Sequence, residues 1–157
     1  MKILFICTHN ACRSILSEAI TRQLADGRIQ TASAGTSPAA EVHPLTLRYL
    51  HEHGYDSANL RSKPLDSLCG FEPDVVITVC DSAAGESCPL WLGAAIKIHW
   101  GLPDPSHQQG TEDQICASFA AVIAAIERRT QRLLEQPFEA MKANQIADLL
   151  TDIGRRY

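Results

Sequence analysis

The sequence has no apolar run near the roughly 18 residues that a membrane-spanning helix needs, so a membrane-embedded role is not expected. It has no long basic run, and its net charge is −4. A general nucleic-acid binder requires a basic face, so nucleic acid is excluded as a partner. The N-terminus has one lysine, a five-residue apolar run and no small-residue cleavage site, which reads as a strand and not a secretion signal. No internal repeat, low-complexity segment or clear domain boundary interrupts the chain. Without a secretion signal, the six cysteines (Cys7, Cys12, Cys69, Cys80, Cys88 and Cys116) are not expected to form a static disulfide framework. They are then metal ligands, catalytic groups or buried small hydrophobes, and the expected setting is the cytoplasm.

What remains is an ordinary globular composition of 157 residues, 45% hydrophobic and 20% charged, enough for one core. "KILFIC" is nearly continuous in apolar residues, as in a strand buried on both faces. "SILSEAITRQLA" repeats its apolar residues at helical spacing and stops at Gly27. "IQTASAG" reads as a second strand, and Pro44 opens a helix that stops at Gly54. "SKPLDSLCGF" is a short helix, while "PDVVITVC" and "AIKIHW" are further strands. A long amphipathic helix runs from Glu112 to about Glu135, with Phe119, Val122, Ile123 and Ile126 on its apolar stripe. Pro137 breaks it, and "FEAMKANQIADLLTDIG" reads as one more helix.

Strands alternating with helices predict an α/β fold: a three-layer αβα sandwich around a four-stranded parallel sheet. In such a sheet the C-terminal strand ends share one edge, and ligands bind there. Cys7 ends the first strand, Cys80 ends "VVITVC", and Asp104 follows "IKIHW", so three reactive groups converge on that edge.

The loop "CTHNACRS" carries the spacing C-x5-R between Cys7 and Arg13. Residues Thr8, His9, Asn10, Ala11, Cys12, Arg13 and Ser14 can curl so that backbone N–H groups face inward as an anion nest. The helix that follows adds its positive end. Arg13 can grip two oxygens of a tetrahedral oxyanion with a planar fork. The same field favours a thiolate at Cys7 and makes it a nucleophile. Asn10 tolerates the left-handed backbone of a tight loop. Ser14 can cap the helix or donate a hydrogen bond to the Cys7 sulfur when that sulfur is the leaving group.

"CTHNACRSILSEA", "TASAG", "VVITVCDSAAGESCP" and "HWGLPDPS" together resemble the low-molecular-weight protein tyrosine phosphatases, and still more their arsenate-reductase relatives. The resemblance spans about residues 1–135. A domain over 1–136 and a C-terminal helical extension over 137–157 are expected. His9 departs from the pattern, standing where the family often has glycine.

The resemblance implies that Cys7 attacks the oxyanion and Asp104 protonates the departing oxygen. A phosphatase then brings water, whereas a reductase brings a second thiol and leaves a disulfide. Cys80 and Cys88 meet that second need in the family's relay, joined by the small, polar "DSAAGES". Buried hydrophobes, or half of a zinc site, are the other readings of that pair. Cys12 is either a protective disulfide partner of Cys7 or a structural residue; Cys69 and Cys116 are read as structural. Ser106, His107, Gln108 and Gln109 follow Asp104 where the phosphatases carry aromatic residues, which favours an inorganic oxyanion.

Expected partners are therefore arsenate, with phosphate or sulfate as mimics, and thioredoxin or glutathione with glutaredoxin as the reductant. No cofactor and no metal is expected. Asn10, Glu18 and Ser33 match a potassium site of some thioredoxin-coupled relatives, but Lys63 stands in place of a carboxylate, so a fixed ammonium replaces the ion and Glu18 and Ser33 brace the loop.

Overall fold

A computed structural model describes residues 1–85 and 92–157. Four strands form one parallel sheet: β1 (Lys2–Cys7), β2 (Gln30–Gly35), β3 (Val75–Thr78) and β4 (Ile96–His99). Their spatial order is β2-β1-β3-β4. The chain leaves β1 toward one side and returns on the other, so the β1–β3 boundary is the switch point where such sheets bind ligands. Ile3, Leu4, Phe5 and Ile6 are all buried, as are Val75, Val76 and Ile77. Burial on both strand faces is the reason these runs are continuous rather than alternating.

Helix α1 (Arg13–Ala25) lies against β1 and β2 and also contacts α4 (Glu112–Leu134). Ile15, Leu16, Ala19 and Ile20 supply its buried face. Asp26 and Gly27 end it in left-handed backbone, at φ 43° and 86°. Helix α2 (Pro44–Glu52) starts at a proline and is capped by the His43 ring, and its Tyr49 stacks on Phe119 of α4 at 4.5 Å. Thr111 and Gln114 exchange hydrogen bonds in a capping box that opens α4. A 3-10 turn replaces the short helix expected in "SKPLDSLCGF", at Leu65–Leu68.

Two boundaries differ from the sequence reading. The β3 ladder stops at Thr78, so Cys80 lies beyond the strand and caps α3 (Asp81–Ala84) instead. Strand β4 ends opposite Thr78, at His99. The tail is not one helix: a 3-10 turn at Phe138–Ala140 closes, and α5 (Ala143–Arg156) begins after a fresh cap in which Lys142 N–H donates to the Gln145 side chain. Helix α5 packs against β4 and α4. The Trp100 indole N–H donates to the Leu150 carbonyl at 2.9 Å and pins α5 to the end of β4. Among the described residues, no helix is long and apolar enough to cross a membrane.

Candidate active site

The loop after β1 takes its shape from its carbonyls. Ser37 N–H donates to Thr8 O, Ala39 N–H to His9 O and His43 N–H to Ala11 O, at 2.8–3.0 Å. The Thr46 and Ser62 hydroxyls add bonds to Ala11 O and His9 O, each 3.0 Å long. With these three carbonyls bonded to segments outside the loop, its amides are free of them, as an anion nest requires. Asn10 sits at φ 47°, the left-handed turn that closes the curl. Its N–H donates to Cys7 Sγ at 3.1 Å.

Asn10 also ties the loop to the sheet. Its Nδ2 donates to Ser14 Oγ at 2.8 Å and to Ser33 Oγ at 2.9 Å, and its Oδ1 accepts from Lys63 N–H. Because Ser14 Oγ receives that bond, its own proton is available for Cys7 Sγ, 2.9 Å away. Of the two roles foreseen for Ser14, the N-cap position belongs to Cys12, which makes no side-chain cap bond, and the 2.9 Å spacing to Cys7 Sγ leaves room for the other. Ser33 Oγ donates to Glu18 Oε2 at 2.5 Å, and the Lys63 ammonium stands 3.6 Å from the same oxygen. Burial lowers the Lys63 pKa and the Glu18 carboxylate opposes that shift. A buried carboxylate is thus held against the underside of the loop by an ammonium that is part of the chain.

Arg13 opens α1 and reaches over the loop. Its Nη2 lies 3.1 Å from Asp104 Oδ2, and its Nη1 donates to Leu102 O at 3.2 Å. Asp104 is further held by Ser106, whose N–H and hydroxyl both donate to Oδ1, at 3.0 and 2.6 Å. Burial alone would raise its pKa; the Ser106 bonds and the Arg13 guanidinium outweigh it and hold the carboxyl below its usual value. Cys7, Cys12, Arg13, Asp104, His43 and His107 all line one cavity of about 190 Å³. His9 is exposed at its mouth. The cavity suits a small oxyanion: the Cys7 sulfur, the Arg13 guanidinium and the Asp104 carboxyl paired with it all line it.

Cys80 is buried just outside this cavity. Its sulfur accepts from Ala83 N–H at 3.4 Å and lies 3.6 Å from Thr8 Oγ1, on the residue next to Cys7. Cys88 lies outside the described residues. Cys12 is buried, and burial pushes its thiol pKa up to about 12, so it does not compete as a nucleophile. Cys69 and Cys116, read as structural, are exposed instead. Among the described residues, no group of three His, Cys, Asp or Glu side chains could hold a metal ion. Ser37, Ala39, Thr46 and Ser62 escaped the sequence reading. They act on loop carbonyls, and no residue pattern announces such contacts.

The family model for low molecular weight phosphotyrosine protein phosphatases matches residues 2–146. An arsenate reductase of Bacillus subtilis is 34% identical over 133 residues, covering 85% of this chain and 94% of the relative. A glutaredoxin arsenate reductase of Synechocystis sp. is 29% identical, covering 85% of this chain and 95% of its own. A solved structure of an arsenate reductase in the phosphate binding state superimposes with a TM-score of 0.70 at 29% identity, over 85% of this chain and 96% of that one.

Proposed function

The chain belongs to the low molecular weight phosphotyrosine protein phosphatase family, and we propose that its reaction is the reduction of arsenate to arsenite by a relay of its own thiols. The observation that carries this reading is the Cys80 thiol, one hydrogen bond from Thr8 at the rim of the nucleophile's loop. A hydrolase needs water there; a reductase needs sulfur.

The Cys7 thiolate attacks arsenic, a sulfur–arsenic bond forms, and an arsenic–oxygen bond breaks. Asp104 gives its proton to the departing oxygen, which leaves as water. Arg13 supplies the charge for the oxyanion, and burial favours the protonated form of Asp104 against the opposing pull of its Ser106 bonds and Arg13. The Cys80 thiolate then attacks the Cys7 sulfur. The electron pair of the sulfur–arsenic bond passes to arsenic, arsenite leaves, and a Cys7–Cys80 disulfide remains. The Cys88 thiolate attacks Cys80, and Cys7 departs as a thiolate assisted by the Ser14 proton. The Cys80–Cys88 disulfide is then reduced from outside. An internal disulfide suits thioredoxin; glutathione with glutaredoxin is the alternative donor, and exchanging the two in a coupled assay decides between them. A reducing, cytoplasmic compartment fits this cycle. Residues 1–136 form its catalytic unit, and 137–157 extend it along β4.

The serine and histidine that follow Pro105 support an inorganic oxyanion over an aryl phosphate, since neither offers a ring platform. A Cys80→Ser variant tests the assignment. Multiple-turnover arsenate reduction disappears while slow hydrolysis of a phosphate ester survives; unimpaired reduction would reject the relay.

A further inference from the structure

Arg129 of α4 is buried, with only 6% of its surface exposed, and makes no ion pair among the described residues. Its Nη1 donates to Trp100 O at 3.0 Å, its Nη2 to Gly101 O at 3.4 Å, and its guanidinium lies 5.7 Å from the centre of the Trp100 ring. Its Nε has no partner among the described residues. A buried guanidinium without a carboxylate is costly, and its fork is here directed at backbone alone. The carbonyls it holds lead directly into Leu102, Pro103 and Asp104. Arg13 takes the next one, Leu102 O. Two guanidiniums therefore hold three successive carbonyls ahead of Asp104, one from the cradle side and one from α4.

Arg13 lines the cavity and has to divide its donors between the Asp104 loop and an oxyanion, whereas Arg129 lies outside the cavity and serves the loop alone. We propose that Arg129 is the positioning residue of the acid step: it fixes the backbone before Asp104 so that the carboxyl stays over the cradle when Arg13 turns to the substrate. This rests on Asp104 being the general acid.

The test is the rate of arsenite formation in a single turnover of the pre-reduced full-length chain, measured for Arg129→Met, Asp104→Asn and the double variant. Loss of a general acid slows such a step by about 10²-fold or more, and loosening its support is expected to slow it about tenfold. The half-saturating arsenate concentration should stay within about twofold in Arg129→Met, and Arg129→Lys should recover part of the rate. In the Asp104→Asn background the Arg129 change should have almost no effect, because the two act as one unit. A wild-type rate in Arg129→Met, or the same tenfold loss with and without Asp104, overturns the inference. A wild-type rate in Asp104→Asn overturns the acid assignment itself, whatever Arg129→Met does. Should Arg129→Met fail to fold, Arg129→Lys keeps the charge without the fork and carries the same comparison: slowing confined to the Asp104 background supports the proposal, and a uniform or absent effect rejects it.

Discussion

Replacing Gly35 with alanine is expected to disable the site without removing any group that reacts. Gly35 ends β2 in register with Cys7, and the loop passes directly over it. A Cβ there would stand 2.7 Å from Thr8 O, 3.0 Å from Asn10 Cβ and 3.1 Å from Asn10 N. Ordinary contact begins at 3.4 Å, so the Thr8 carbonyl would have to retreat by about 0.7 Å (3.4 − 2.7). It has little freedom to do so, because Ser37 N–H holds it at 2.8 Å and the Asn10 side chain is bonded on both ends. Overpacking of this kind costs about 1–3 kcal/mol. At about 2–4 °C per kcal/mol for a chain of this size, the melting temperature should fall by roughly 2–12 °C. A misplacement of about 1 Å in reacting groups can cost about 10²-fold in rate, so arsenite formation should slow by at least about tenfold. Thermal melting and single-turnover arsenite release measure the two effects on one preparation. A wild-type melt would refute the steric argument. A lowered melt with an unchanged rate would refute the claim that the loop's shape governs the chemistry.

Two further outcomes follow from the charges around the loop. Sodium in place of potassium should leave the rate unchanged, since Lys63 already places an ammonium 3.6 Å from Glu18; a large loss of rate in sodium would refute that assignment. Asp104 titrates below its ordinary value of 3.8 in the folded chain, so the stabilisation from its Ser106 hydrogen bonds and its Arg13 ion pair is fully present above that pH and is lost as pH falls through the lower folded value. Wild type should therefore melt above Asp104→Asn at neutral pH, with the gap closing in acid; a gap that widens on acidification would reverse the sign of the argument.

The sheet edge that gathers Cys7, Arg13 and Asp104 was legible because its signals are local. A doubly buried strand announces itself as a continuous apolar run, and a cysteine and an arginine at C-x5-R spacing stand where that strand ends. The braces Glu18 and Ser33 were readable only through resemblance, since 15 residues separate the two ends of their hydrogen bond. Arg129 was not readable at all. An arginine on an amphipathic helix reads as solvent-facing, and only the arrival of β4's end against α4 turns it inward. The tail was misread as one helix because its apolar residues keep helical spacing across Met141 and Lys142, where the backbone is extended and a new cap begins.

Mapping the thiols after one turnover tests the relay most directly. Pre-reduced protein is mixed with arsenate, alkylated, digested and examined by mass spectrometry, with arsenite counted in parallel. One arsenite should appear for every two thiols lost, the bond should join Cys80 to Cys88, and a Cys88→Ser chain should stop at Cys7–Cys80. Arsenite formed with every thiol still free, or formed by a chain in which Cys7 is serine, would contradict the account.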